Sequence, residues 1–337
     1  MKKLIYIGNN LTKKTAYNST MTLLTDLLVN EGFYVMVSSN KTNKILRLFD
    51  MCFSIFKNRK SVDYILIDTF STYNFYYALI TSQIARLFSL NYVPILHGGN
   101  LPSRLDKSNY LSKLVFKHSY KNVTPSKYLE VEFNKRNYKT IYIPNSIVLS
   151  EYKFKERKLL KPTILWVRAF DKTYNPILGV KVLNLLKKEF KNVKLCMVGP
   201  VKDGTFEQVQ LLVNKLDLSE NIIFTGVLPK EKWHQLSEEY DIFMNTTNID
   251  NMPVSVLEAM ALGLPVVSTN VGGIPYLITD EKNGILVPVN DEIAMSNAII
   301  NLIENQGKAN KISLEARLYA EQFDVEKIKE QWFKLLK

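Results

Sequence analysis

Cysteine is scarce in this sequence: Cys52 and Cys196 are the only two in 337 residues. So few exclude a scaffold built on disulfides and fit a reducing, cytoplasmic setting. The three histidines, His97, His118 and His234, are scattered and lie far from both cysteines. They form no zinc-ligand pattern, and no metal site is expected. No stretch of about 18 apolar residues exists, which excludes a membrane-spanning helix. The opening residues are basic and then apolar, but the apolar run is short and no small-residue cleavage site follows. They read as a buried first strand and not as an export signal. Short repeats, low-complexity tracts, a GxGxxG fingerprint, a Walker A loop and an Asp-x-Asp pair are also missing.

Acid is short as well, but only in the first half. Residues 1–150 hold 20 Lys/Arg against 8 Asp/Glu, residues 151–337 hold 24 of each, and the first half therefore carries the whole net charge of +12. A basic habit of the source proteome would not leave the second half neutral. The asymmetry calls for an anionic partner of the first half. We expect an anionic membrane surface or lipid phosphate there, and no nucleic acid. Within it, residues 41–60 are basic at both ends, with Leu46, Phe49, Phe53 and Phe56 at helical spacing. Such a helix suits either an anionic membrane or an ordinary core-facing crossover, and the spacing leaves both open.

The length favours two domains. Short β-rich runs alternate with helical ones, the signature of parallel sheets with crossover helices. Strands are expected at Leu4–Gly8, Phe33–Ser38, Tyr64–Asp68, Tyr92–His97, Asn122–Thr124 and Thr140–Ile143, then at Thr163–Val167, Val193–Gly199, Ile222–Thr225, Ile242–Asn245, Pro265–Thr269 and Gly284–Val287. Helices are expected between them, as at Thr15–Asn30, Tyr73–Leu90 and Ser126–Arg136. The charged segment Ser150–Lys161 reads as a linker. The outcome is an α/β chain of two Rossmann-like, doubly wound domains, 1–150 and 151–320, with a C-terminal helix at 321–337 turned back towards the first domain. Ligands of such sheets bind beyond the carboxyl ends of the strands, so the active site is expected in a cleft between facing domains.

One stretch carries most of the chemistry, Asp250-Asn251-Met252-Pro253-Val254-Ser255-Val256-Leu257-Glu258 followed by Ala259-Met260-Ala261-Leu262-Gly263. Pro253 suits the first turn of a helix and Gly263 its end. Glu258 has small or apolar neighbours on every side, so it points into a packed environment and needs polar partners; the paired hydroxyls of a ribose qualify. Gly272-Gly273 then lie between a strand and a helix start, where backbone can approach a ligand and free N–H groups can meet a phosphate.

The run DNMPVSVLEAMALGLPVVSTNVGGIPYLI resembles the donor-site motif of the retaining glycosyltransferases of family four (glycosyl transferases group 1), which have the GT-B fold. Asp250 and Glu258 fall on the family's E-(x)7-E acids, with Asp in place of the first Glu. The resemblance implies that Glu258 binds the donor ribose and that Asp250 lies near the transferred sugar. Arg168 matches the arginine of a Gly-Arg pair, with Val167 replacing the glycine, and Lys172 lies near the family's lysine; both are assigned to the donor diphosphate. Gly199 and Gly226 match two glycine-ended strands beside the nucleotide, and Asn251, Met252, Pro253, Val254, Gly272 and Gly273 complete the donor set. His97, with Gly98 and Gly99, matches a His-Gly landmark that touches donor sugar or acceptor. Gly8-Asn9-Asn10 correspond to the acceptor loop. His97, Asp250, Glu258 and Arg168 form the expected catalytic set.

The implied function is transfer of a sugar from a UDP- or GDP-sugar, without metal or other cofactor, to a saccharide or polyprenyl-diphosphate-linked acceptor in bacterial surface polysaccharide assembly. The implied place is the cytoplasm or the inner face of the cell membrane. A GT-B nucleotide-sugar epimerase and a non-catalytic nucleotide-sugar-binding protein are the alternatives. His118 and His234 are expected at the surface.

Overall fold

The computed structural model describes residues 1–10 and 20–337. The chain divides into two units, residues 1–146 with 325–337, and residues 147–324. Each is a six-stranded, wholly parallel sheet with helices between the strands.

The first unit contains β1 (Lys3–Ile7), β2 (Tyr34–Ser38), β3 (Tyr64–Thr69), β4 (Asn91–Leu96), β5 (Asn122–Thr124) and β6 (Thr140–Tyr142). Its order is β2-β1-β3-β4-β5-β6. The second contains β7 (Thr163–Val167), β8 (Lys194–Val198), β9 (Ile222–Gly226), β10 (Ile242–Asn245), β11 (Val266–Thr269) and β12 (Ile285–Val287), in the order β12-β11-β10-β7-β8-β9. Strands such as Leu4–Ile7 and Ile65–Ile67 are buried throughout, because helices cover both faces of a parallel sheet. The strand order reverses between β1 and β3 in the first unit and between β7 and β10 in the second. These are the points where the loops diverge and leave room for a ligand.

The Thr15–Asn30 expectation starts outside the described residues, and the described helix runs Thr20–Asn30. The final helix, Val325–Leu336, packs into the first unit through Ile328, Trp332, Leu335 and Leu336, beside Leu27 and Leu28. Residues 150–161 are not a linker. Tyr152, Arg157 and Leu160 are buried in the second unit, and the Arg157 guanidinium donates to the carbonyls of Tyr240, Lys155, Leu262 and Ser237 at 2.9–3.0 Å.

The basic helix of the first unit spans Lys44–Asn58, capped by Asn43, whose side chain accepts from the N–H groups of Ile45 and Leu46. It buries Arg47, Met51 and Ile55. Leu46, Phe49, Phe53 and Phe56 point outward, so the helical spacing marks an exposed stripe and not a core-facing one.

Candidate active site

In the second unit β7 and β10 end side by side, Ile164 and Leu165 pairing Ile242 and Phe243. Arg168 follows β7, and its Nε donates to Oδ1 of Asn245 at the end of β10, 3.1 Å away. Asn245 in turn donates to Ser268 Oγ at 2.9 Å. The guanidinium lies over the Tyr174 ring, 5.1 Å from its centroid. Its Nη2 is 2.8 Å from Asp250 Oδ2. Neither of these two atoms has a well-aligned hydrogen-bond partner among the described residues, so charge attraction carries the contact. Burial pushes the Asp250 carboxyl above its ordinary pKa, with Arg168 and the Asn251 N–H pulling it back.

Two sets of glycines make this arrangement sterically possible. A Cβ on Gly199 would fall 1.8 Å from the carbonyl oxygen of Arg168. Gly199 therefore lets the end of β8 close on the residue that carries the guanidinium. A Cβ on Gly272 would meet the Asp250 carbonyl at 2.2 Å, and one on Gly273 the Asn251 carbonyl at 1.5 Å. The Gly273 N–H donates to Asp250 O at 3.0 Å. The Gly-Gly turn thus seats the acid-bearing loop itself, and the helix after it, Ile274–Leu277, is a single turn.

Pro253 caps the helix Val254–Ala261. Gly263, with φ of 78°, closes it through Gly263 N–H to Met260 O and Leu264 N–H to Ala259 O, the paired bonds of a Schellman turn. Glu258, on this helix, is 7% exposed. Its Oε1 accepts from the Tyr152 hydroxyl at 2.7 Å and lies 3.6 Å from Lys230 Nζ. Burial raises the Glu258 pKa, opposed first by Lys230 and then by Tyr152; the charge of Arg168 is also felt there. Lys230 Nζ sits 4.7 Å above the Tyr152 ring. Ser255 Oγ, on the first turn of the helix, is buried and has no partner among the described residues.

The expected donor residues thus separate by role. Arg168, Asp250 and Glu258 share one electrostatic neighbourhood. Met252 turns its side chain into the hydrophobic core with Val256 and Leu257. Asn251 and Pro253 are buried and Val254 half-buried. Gly226 ends β9, its carbonyl accepting from Gly199 N–H. Lys172 is exposed on the loop after β7; its N–H donates to Asp203 and its carbonyl accepts from Asn248.

In the first unit the corresponding reversal is occupied by an acid that the motifs did not pick out. Asp68, near the end of β3, receives the Tyr6 hydroxyl at 3.0 Å and pairs with His97 Nε2 at 2.8 Å. His97 follows β4 and stacks on Phe70 with ring centroids 5.3 Å apart. A Cβ on Gly8 would meet Asp68 Oδ2 at 2.6 Å. Gly8, Asp68 and His97 are therefore gathered at one edge of the sheet. Gly98 and Gly99 follow half-buried. A small cavity of about 30 Å³ beside His97 is lined by Tyr6, Pro125, Pro144, Asn145, Ser146 and Trp332 among others. Asn9 Oδ1 accepts from the buried Arg47 at 2.8 Å, and Asn10 N–H donates to Ser39 O at 3.0 Å. The acceptor-loop candidates are thus tied to the Lys44–Asn58 helix and to the end of β2.

His118 is exposed as expected, but His234 is not. It is buried between Tyr152 and Trp233, ring centroids 4.5 and 4.7 Å away, and burial lowers its pKa to about 4. Its polar helical neighbours in sequence concealed the aromatic pair that encloses it.

Two doubly wound parallel sheets, one with a half-buried arginine and two acids at its carboxyl edge, define a GT-B protein. Residues 150–319 match the family of glycosyl transferases group 1, and the chain belongs to that family. It is 24% identical over 226 residues to the amylovoran biosynthesis glycosyltransferase AmsK of Erwinia amylovora, covering 57% of this chain and 56% of AmsK. The match thus spans about half the length of that relative. Sucrose-phosphate synthase from Thermosynechococcus elongatus superposes with a TM-score of 0.81 at 15% identity, covering 99% of this chain and 98% of the other. HepE of Anabaena, solved with UDP and glucose, superposes with a TM-score of 0.79 at 17% identity, covering 100% and 99%.

Proposed function

We propose that this protein is a retaining glycosyltransferase that moves a sugar from a UDP- or GDP-sugar to a saccharide or polyprenyl-diphosphate-linked acceptor during assembly of a bacterial surface polysaccharide. The observation that carries the reading is the cluster of half-buried Arg168 and Asp250 with buried Glu258, beside the strand-order reversal where such sheets take nucleotides. The names of AmsK, an amylovoran enzyme, and of HepE, solved with UDP, support polymer synthesis and a nucleotide-linked donor.

In this reading the second unit holds the donor and the first the acceptor. Glu258 accepts ribose hydroxyls, with Tyr152 and Lys230 fixing one of its oxygens. The diphosphate takes Arg168 from Asp250, since two phosphate charges outbid one carboxylate for a guanidinium fork. Asp250, released, accepts from the hydroxyls of the transferred sugar. Charge builds on the departing phosphate in the transition state, and a preorganised cation stabilises it there. With no Asp-x-Asp sequence to hold a metal, transfer should proceed in excess chelator. His97, oriented by Asp68, contacts donor sugar or acceptor. The enzyme works in the cytoplasm, at the inner face of the membrane.

A panel of nucleotide-sugars screened for a rise in melting temperature identifies the donor. Incubation with that donor and glycan or lipid-linked acceptors should give a product whose new linkage keeps the donor's anomeric configuration, read by NMR. A changed nucleotide-sugar released without acceptor would make the protein an epimerase. Donor binding with no turnover on any acceptor would leave a binding protein.

A further inference from the structure

The Lys44–Asn58 helix has two apolar faces, and only one is used by the fold. Met51 and Ile55 are buried at 1% and 0% exposure. On another side Ile45, Leu46, Phe49, Phe53 and Phe56 are 66, 59, 67, 61 and 49% exposed. At 3.6 residues per turn these five fall within an arc of about 100°. Bulky apolar side chains so exposed and so aligned form a contiguous patch, which a soluble surface does not normally carry. The patch is extended at the end of the helix, where Phe56 meets Phe88 at 6.0 Å and Arg59 lies over both rings. At its start Lys44 lies over Tyr73, which is 78% exposed.

The charges around the stripe are of one sign. Lys41, Lys44, Lys57, Arg59 and Lys60 flank it, while the only acid on the helix, Asp50, is half-buried and within reach of the Ser38 hydroxyl. The same helix reaches the candidate acceptor loop on its buried side, where Arg47 donates to Asn9 at 2.8 Å.

We propose that the outward face of this helix docks the protein on an anionic bilayer and that the acceptor is anchored in that bilayer, its reactive end presented to the Gly8–Asn10 loop one helix diameter away. The proposal rests on the sugar-transfer reading for the acceptor, but not for the docking. A bilayer meets both observations at once: the phenylalanines and leucine enter the headgroup boundary, and the lysines and arginines meet lipid phosphate. A second copy of this chain would bring the apolar stripe to its like but would also set Lys57, Arg59 and Lys60 near one another across a two-fold axis. The shared positive charge disfavours that occupant.

The test is flotation of the full chain with vesicles of phosphatidylcholine alone and of phosphatidylcholine with phosphatidylglycerol. Binding is expected to the anionic vesicles, weakened by salt because the attraction is screened. Phe49→Ser with Phe53→Ser, and separately Lys57→Glu with Arg59→Glu and Lys60→Glu, should each lower the bound-to-free ratio more than about tenfold. Nucleotide affinity should be unchanged and melting temperature little changed, since Phe49, Phe53, Lys57 and Lys60 are exposed and Arg59 is half-buried only over the Phe56 and Phe88 rings. Absence from both vesicle types, equal binding to both, or a concentration-dependent dimer abolished by the serine pair would overturn the docking. Docking that survives alongside full transfer to water-soluble acceptors, with no preference for lipid-linked ones, would overturn the acceptor half alone. Failure of all transfer with docking intact would fall on the sugar-transfer reading instead.

Discussion

The two units share an architecture and treat charge in opposite ways. In the second, which lies almost wholly within a neutral half of the sequence, the charges at the carboxyl edge of the sheet are turned inward and paired: Arg168 with Asp250 and Lys230 with Glu258. The first half leaves its +12 largely uncompensated and adds an outward apolar stripe. Charges held inward and away from water would make strong electrostatic contacts with a small charged ligand. Outward charge beside exposed phenylalanine suits an extended surface that is met reversibly. In the proposed reading, one fold serves once as a container and once as a contact face.

The strongest way to break that contrast is at Arg168. Arg168→Lys keeps a positive charge beside Asp250 but loses the planar fork. Turnover should fall about 100-fold, the effect of one preorganised donor to developing charge, with donor affinity changing less than tenfold. Loss of donor affinity with turnover unchanged would make Arg168 a uniform-binding contact only.

Glu258 sharpens the same side of the comparison with a paired readout. Glu258→Gln should weaken nucleotide binding by about 1.5–3 kcal/mol, the range for a hydrogen bond to a charged group, measured by calorimetry. Its stability effect should be opposite in sign. Burial raises the Glu258 pKa, so the group's contribution to stability is fully present below the ordinary carboxyl pKa and is lost as pH rises through the folded value. The ligand-free glutamine variant should therefore gain melting temperature relative to wild type as pH rises towards neutrality. A variant weaker in both respects would mean that Glu258 serves the fold.

Asp68 tests the first unit. Asp68→Asn preserves shape but removes the charge that holds His97 at 2.8 Å. Acceptor kcat/KM should fall by about 1 kcal/mol of transition-state stabilisation, typical of one hydrogen bond. Nucleotide affinity in the second unit should stay constant. A loss of nucleotide affinity would show that the division of labour between units is wrong.

Fold and site were unequally legible in the sequence. The strands were visible because a parallel sheet buried on both faces requires continuous apolar runs, and Thr163–Val167 and Ile242–Asn245 occur with the expected ends. Helix ends were less so: the run expected to reach Leu90 stops at Leu87, closed by Ser89 at φ 54°, a conformation serine rarely advertises. Glu258 stood out because a lone acid among small apolar residues implies a cleft. Its partner Tyr152 is 106 positions away and carried no local signal. Arg157 was hidden in a charged stretch that resembles solvated chain. Asp68 was legible in principle, as an acid near the end of the apolar run Tyr64–Ile67. The outward stripe at Phe49 and Phe53 has a spacing that a sequence displays, but which side of a helix meets the core is decided by its neighbours.

The smallest effect on activity is expected at His234, whose test concerns how tightly the second unit encloses its polar groups. Burial between aromatic rings is the main cause of the lowered pKa of about 4; Lys230 adds to it, while Glu231 and the Glu151 backbone oppose it. A histidine lowered in this way contributes stability that is fully present above the unfolded value near 6.5. That contribution is lost as pH falls through the folded value near 4. Between those limits the unfolded chain takes up a proton that the folded unit refuses. Melting temperature should therefore decline across this window in the wild type and decline less in His234→Phe, which keeps an aromatic ring between Tyr152 and Trp233 but cannot titrate. Acids elsewhere in the chain titrate in both proteins, so the difference between the two curves isolates the imidazole. Superimposable curves from pH 6.5 to 4 would place His234 in contact with water and make the second unit less closed beside Lys230 than its packing indicates.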